Sequence, residues 1–280
     1  MDGIIIINKP KGCTSHDIVY KVKKTCGEKV GHTGTLDPNA TGVLPILIGT
    51  GTKLSKYLID HDKKYLATIK LGIKTSTGDN EGEITEKKAV PILNEQTIQK
   101  ALEKFIGKQT QTPPIYSAIK VKGKKLYEYA RKGEQVQIPS REITIYSISL
   151  IKINTDELQI EVECSKGTYI RTLCEDISNE LGTVGYMKEL QRTKVGQFTI
   201  EQAIDSNLTK QDIENNIISL EMFLKNFESI QLSNKELTQF LNGVKITKNV
   251  KNGIYKMYNN GNFLGTGIIE QEKLKRDIII

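Results

Sequence analysis

GHTGTLDPNATGVLP, residues 31–45, gathers three glycines and two prolines around a single acid, Asp37, and runs straight into an apolar stretch, Val43 to Ile48. Glycines and prolines at this density dictate sharp turns and let another molecule come close to the backbone, while the apolar run that follows has the length of a buried central strand. An aspartate just before proline has two readings. It is either a turn residue whose carboxylate accepts backbone N–H groups, or a reactive carboxylate on a rigid loop. The rest of the chain has to decide between them.

Upstream, GIIIIN (residues 3–8) reads as a short buried strand closed by the turn Lys-Pro-Lys-Gly. Thr14 and Asp17 form a capping box, and Ile18, Val19, Val22 and Cys26 then share one helical face until Gly27. Downstream, GTGTK at 49–53 lacks the spacing of a phosphate-cradling P-loop. Tyr65, Ala67, Ile69, Leu71 and Ile73 alternate as a strand with one buried face, and Gly78 to Gly82 turn the chain. A helix is predicted over 94–106. Between Thr112 and Pro139 no strand or helix of length is predicted; prolines, cations and tyrosines (Tyr116, Tyr127, Tyr129) alternate instead. Residues 143–153 and 158–164 read as a hairpin, residues 168–181 as a helix stopped by Gly182, and 191–195 as an outgoing strand edge. Arg171 falls at the start of that helix, where a cation is electrostatically out of place and calls for a partner. Residues 200–228 read as an Asn- and Asp-rich connection, and the remainder as a small β-rich unit with one helix over 234–241.

The chain has 280 residues, enough for a large domain with a small one appended. Four cysteines are too few for a disulfide framework, no Cys/His spacing fits zinc, and no apolar run reaches membrane-spanning length. The expectation is a reduced cytoplasmic protein with neither metal nor cofactor. A formal charge of +7 is a mild hint of a polyanionic partner. Its distribution says more: seven cations and one acid lie between Lys108 and Lys132, and Gly243 to Asn262 holds four lysines and no acid. Two local basic surfaces favour nucleic acid over a small acidic substrate, with tyrosines available to stack on bases.

Laid out in order, the blocks GHTGTLDPNATGVLP, KKYLATIKLG, TSTGDNEGEI, TPPIYSAIKVKGKKLYEYAR, CSKGTYIRTLCEDI and ELQRTKVGQF resemble those of the bacterial tRNA pseudouridine-55 synthase family over residues 3–200. A looser likeness from 229 onward is to the RNA-binding module named for pseudouridine synthases and archaeosine transglycosylases. The resemblance implies an α+β fold, with a mixed, largely antiparallel curved sheet, flanking helices and a central cleft. It implies a catalytic domain over 1–228, a basic thumb insertion at 112–139 pressed on the T-arm of tRNA, and a small β-rich C-terminal RNA-binding module over 229–280. No RNA-binding segment is expected upstream of the first strand.

The implied reaction isomerises uridine to pseudouridine at position 55 of tRNA after base flipping, without a cofactor. Asp37 matches the family's catalytic aspartate, and Arg171 the arginine paired with it. Tyr65 matches the tyrosine stacked on uracil, Leu190 the apolar wall opposite, and His32 the residue that fills the space left by the flipped base. Lys122, Lys124 and Lys125 would meet tRNA phosphates. The carboxylate is expected to be dry, which is why a neighbouring cation is required. A monomer without an obligate protein partner is expected. Rival readings are a noncatalytic RNA-binding or RNA-folding protein, disfavoured by the Asp37, Tyr65 and Arg171 set, and a guide-RNA-dependent synthase, disfavoured by the basic insertion.

Overall fold

The computed structural model describes residues 1–58 and 61–280, and among them nine strands form one mixed sheet. Seven run side by side in the order Gly3–Lys9, Thr41–Ile48, Gly185–Val195, Lys63–Leu71, Glu157–Cys164, Arg141–Ile153 and Gly107–Gln111. Val30–His32 pairs with Ile46 to Ile48, and Phe198–Thr199 folds back on the end of Gly185–Val195. Ladder pairings in this sheet are antiparallel except one, where Gln191 and Arg192 run parallel to Thr41 and Gly42. The α+β architecture implied by the resemblance is the one observed.

The parallel contact is narrow and tight. Gly42 has φ 105°, and a Cβ there would lie 2.2 Å from the Arg192 carbonyl oxygen. Gly42→Ala is therefore expected to cost about 3 kcal/mol in chemical denaturation, from the left-handed backbone and the clash together. Gly12 is the comparison, because its φ is 87° and its Cβ would meet nothing within 4 Å. Its alanine variant should lose only about 1 kcal/mol. Equal losses at the two positions would show that the strand contact does not require glycine.

Thr14 and Asp17 do form the predicted capping box on helix Ser15–Cys26, and Gly27 ends that helix with φ 75°. Ile18, Val19 and Val22 from it pack with Ile5, Ile7, Leu44, Ile46 and the strand Lys63–Leu71. Helices Glu95–Glu103 and Ile170–Glu180 bury Ile98, Leu102, Leu173 and Ile177 in the same cluster. The first of these is shorter than the 94–106 predicted, and the chain turns at Phe105 and Ile106 through backbone bonds to Leu102 and Glu103. A second cluster is built by the opposite residues of the first two strands, Ile4, Ile6, Val43 and Leu47, with Phe198 and with Phe223 of the helix Leu220–Phe223.

Two expectations need correction. Residues 191–195 are not a sheet edge but the end of an eleven-residue strand lying between Thr41–Ile48 and Lys63–Leu71. Residues 112–139 contain regular structure: a two-residue ladder, Lys120–Val121 with Lys124–Lys125, leads into helix Leu126–Lys132. Lys122 and Gly123 both take positive φ at that hairpin tip, which a short hairpin of right-handed twist demands.

The stretch 200–228 is more than a connection. Backbone bonds join Ile204 to Ile6 and Asn8, and Ile218 to Ile4, so this stretch covers the otherwise open edge of the first strand. Beyond it, five strands form a separate sheet in the order Ser229–Gln231, Gly253–Asn259, Asn262–Glu270, Lys273–Ile279, Ile246–Thr247. Helix Asn234–Leu241 seals this sheet with the fully buried Phe240. Asp277 ties the unit to the larger body by accepting from Lys56 and Tyr57, while Ile278 packs with Ile4 and Leu54.

Candidate active site

The Asp37 loop is held on both sides of its carboxylate. Leu36 is buried and exchanges two hydrogen bonds with Ser15, its N–H donating to Oγ at 2.9 Å and its carbonyl accepting at 3.2 Å. On the other side the Pro38 carbonyl accepts from the Gly12 N–H at 2.9 Å and from Lys9 Nζ at 3.0 Å. Lys9 is fully buried, and its ammonium also donates to the carbonyls of Pro10 and Cys13. Burial pulls its pKa down, and three carbonyls stand in for the water it has lost. The Lys-Pro-Lys-Gly turn thus locks the loop from below, a role that its composition alone does not announce.

Arg171 lies in the first turn of helix Ile170–Glu180, where Gln111 clamps Tyr169 through its N–H and carbonyl. Its side chain is 6% exposed and Nε lies 3.2 Å from Asp37 Oδ2. Nη1 is 3.6 Å from Asp79 Oδ2 and donates to the Thr77 carbonyl, and Nη2 donates to the Tyr116 carbonyl at 2.8 Å. Two carboxylates and two carbonyls account for a cation at the wrong end of a helix dipole. Asp79 was not predicted. Its own Oδ1 accepts from Thr77 Oγ and the Glu81 N–H, so the turn at 77–81 aims it at Arg171. In the sequence it reads only as one more polar turn residue.

Asp37, Arg171, Met187 and Leu190 line two adjoining chambers of about 180 and 640 Å³. Tyr65 and Arg192 join the wall of the larger, and Tyr116 and Tyr127 that of the smaller. Tyr65 and Arg192 are direct cross-strand partners, and both are buried. Burial pushes the Tyr65 phenol up to about 12 against the opposing pull of Arg192, so it keeps its proton at neutral pH. Arg192 donates to the Val43 carbonyl at 2.8 Å and to the Gly34 carbonyl at 3.0 Å, tying the start of the Asp37 loop to the tyrosine's strand. It too was missed, because a charged residue inside a strand reads as an edge.

Contrary to expectation, Asp37 is not dry: its side chain is 41% exposed to the cleft. His32 lies in Val30–His32 outside both chamber walls, with a buried Nδ1 that makes no hydrogen bond. Burial first, and Arg192 second, lower its pKa, so the ring is neutral at neutral pH. Lys122, Lys124 and Lys125 sit on the hairpin and line neither chamber. The helix after them is anchored by Leu126 and by the Tyr129 hydroxyl on the Val121 carbonyl. Tyr129 is thus a packing residue. Tyr127 faces the smaller chamber with the Lys125 and Arg131 cations over its ring.

The arrangement as a whole is that of the pseudouridine synthase fold. The chain superimposes with a TM-score of 0.72, at 21% identity, on a chain from an H/ACA RNP bound to a substrate RNA containing 2'-deoxyuridine, covering 99% of this chain and 85% of that one. A chain of a Cbf5-Nop10-Gar1 complex gives 0.71 at 23% identity, over 99% and 83%. Residues 21–170 match the TruB family pseudouridylate synthase (N terminal domain), and 171–231 match the tRNA pseudouridylate synthase B C-terminal domain. The chain belongs to the TruB family of pseudouridylate synthases and is a uridine isomerase. Curated relatives called tRNA pseudouridine synthase B include one from Caldanaerobacter subterraneus, 45% identical over 98% of both chains. Another, from Clostridium kluyveri, is 42% identical over 98% of both, and one from Francisella philomiragia is 48% identical over 79% of this chain and 74% of that one.

Proposed function

We propose that this enzyme isomerises uridine 55 in the T-arm of tRNA, acting as a cytoplasmic monomer without an obligate protein partner. The observation that carries this reading is the Asp37–Arg171 pair at the junction of a cleft walled by Tyr65 and Leu190, in a chain whose relatives at 41% identity and above are called tRNA pseudouridine synthase B. The more distant likeness to chains of the H/ACA RNP and the Cbf5-Nop10-Gar1 complex concerns the fold alone.

The reaction is balanced within the substrate. The N1–C1′ bond breaks, uracil turns, C5 bonds to C1′, the C5 proton leaves and N1 gains one. Asp37 starts this as a nucleophile at carbon 6 or carbon 1′, or as a base at the ribose, and the Arg171 Nε 3.2 Å from its Oδ2 fixes the carboxylate's orientation in each case. The exposed carboxylate becomes dry when a flipped uridine covers it, so the substrate itself completes the low-dielectric site. Tyr65 and Leu190 sandwich the uracil. A protonated Tyr65 can take the C5 proton only while releasing its own, which makes that transfer a relay rather than a capture by a standing phenolate. His32, neutral and compact, occupies the place vacated by the base.

The hairpin lysines and the sheet over 229–280, as a C-terminal RNA-binding module, grip the RNA outside the cleft. Reversing Lys122, Lys124 and Lys125 together to Glu is expected to weaken tRNA binding at least tenfold and to flatten its salt dependence by about three counterions. An unchanged slope would make the insertion a solvated loop. The reading as a whole is tested by incubating the pure protein with unmodified tRNA and mapping the modified positions. Pseudouridine at 55 supports it, and its absence overturns it.

A further inference from the structure

The two chambers that meet at Asp37 differ in charge. Apart from the Asp37–Arg171 pair they share, the larger is walled by Lys63, Arg141, Lys166 and Arg192 against one acid, Glu142. The smaller is walled by Asp79, Glu81 and Glu189 against one cation, Lys188. Among the described residues, the cleft therefore carries a surplus of positive charge on one side of the reacting carboxylate and of negative charge on the other. Arg192 donates to the Val43 and Gly34 carbonyls and Lys63 to the His61 carbonyl, while Arg141 and Lys166 line the wall beside Gly167 and Tyr169.

Arg141 is held in place rather than waving in solvent. Its guanidinium carbon lies 5.2 Å from the centroid of the Tyr169 ring. Gly167 has φ 82°, and a Cβ there would lie 3.0 Å from Arg141 Nη1, so the arginine also packs closely on this turn. Lys166 is the residue before that glycine, on the exposed turn between the Glu157–Cys164 strand and helix Ile170–Glu180. A guanidinium lying over an aromatic ring, with an ammonium on the same chamber wall, suits a phosphodiester, which takes a forked donor and a point charge together.

We propose that Arg141 and Lys166 bind an RNA backbone phosphate next to the target uridine, and that the acidic smaller chamber excludes phosphate, so the strand enters the cleft in one polarity. This rests on the RNA-modifying reading above. It adds a phosphate subsite inside the cleft, distinct from the hairpin lysines outside it.

The test uses the full-length protein and a T-arm stem-loop RNA in which the phosphate on the 5′ or the 3′ side of the target uridine is replaced by a neutral methylphosphonate. Pseudouridine formation by the unaltered protein on unmodified RNA is measured first, so that failure of the functional reading is seen separately. Neutralising one of the two phosphates, and not the other, should weaken binding roughly tenfold, the size of one charge-assisted hydrogen bond. Arg141→Ala and Lys166→Ala should each weaken binding of the unmodified RNA by a similar factor and lose most of that effect on the RNA whose phosphate is already neutral. Arg141→Lys should recover part of the loss, and unchanged melting temperatures show that the fold is intact. If both variants lose as much on neutral RNA as on charged RNA, or if the two methylphosphonates weaken binding equally, the subsite and its polarity are wrong. Glu189→Gln supplies the converse: it should leave the phosphate preference in place but narrow it, and a preference that does not narrow removes the acidic chamber from the mechanism.

Discussion

Asp37→Asn folds, binds tRNA with little change, and makes no measurable pseudouridine. The fold survives because the loop is anchored by Leu36 on Ser15 and by Pro38 on Lys9 and Gly12, none of which involves the Asp37 side chain. Stability changes little, because a carboxylate 41% exposed has already kept much of its hydration and the amide is nearly isosteric. Chemistry does not survive, because an amide is neither nucleophile nor base, and knocking out such a group costs on the order of 10⁴-fold or more. Single-turnover formation of pseudouridine in the RNA at more than about 1% of the unaltered rate would take Asp37 out of the reaction. A fall in binding of the same size as the fall in rate would make it a docking residue instead.

Replacing Arg171 separates stability from catalysis. Arg171→Met strips the partner from Asp79, whose side chain is only 14% exposed, and leaves the carbonyls of Thr77 and Tyr116 without donors. A buried charge left unpaired costs about 3–5 kcal/mol, so the variant should melt well below the parent. Activity should fall by roughly 10²–10³-fold, because the guanidinium that orients the Asp37 carboxylate in the closed site is gone. Adding Asp79→Asn to Arg171→Met removes the stranded charge and should restore part of the melting temperature with no return of activity. Recovery of both together would mean that Arg171 acts only by keeping the site folded. Failure to recover either would place the stability loss in the carbonyls rather than in Asp79. Arg171→Lys keeps the charge but not the fork, so it should be more stable than Arg171→Met yet still slow.

The parts of this molecule legible from residues alone are those where local chemistry and tertiary structure agree. The capping box at Thr14, the alternation from Tyr65 to Leu71 and the helix Asn234–Leu241 fold as their patterns say. The strand Gly185–Val195 was half missed, since its interior carries Lys188, Glu189, Gln191, Arg192 and Lys194. It is buried on one face by packing while its polar residues find partners across the sheet, Lys188 with Glu157 and Lys194 with Glu163. The site splits in the same way. Asp37 and Arg171 drew suspicion from their surroundings, a crowded turn and a misplaced cation. Asp79, Lys9 and Arg192 did not, because each acts on a residue far away in the chain, and a carboxylate in a turn or a lysine before proline carries no local sign of that. Family resemblance, not pattern, supplied Tyr65, Leu190 and His32.

The place of Gly185–Val195 in the sheet also sets the order in which the molecule can be made. Thr41–Ile48 lies on one side of it and Lys63–Leu71 on the other. A chain emerging from the ribosome can pair Gly3–Lys9 with Thr41–Ile48, and later Lys63–Leu71 with the hairpin that follows, but these remain two fragments with open edges until residue 195 is free. Those edges are sites for mispairing with other chains during that interval. The same delay keeps Asp37 apart from the wall that Leu190 and Arg192 supply, so no partial product of synthesis holds an assembled cleft. Closure of the sheet and birth of the active site are one late event, joined by a strand whose arrival brings Leu190 and Arg192 with it.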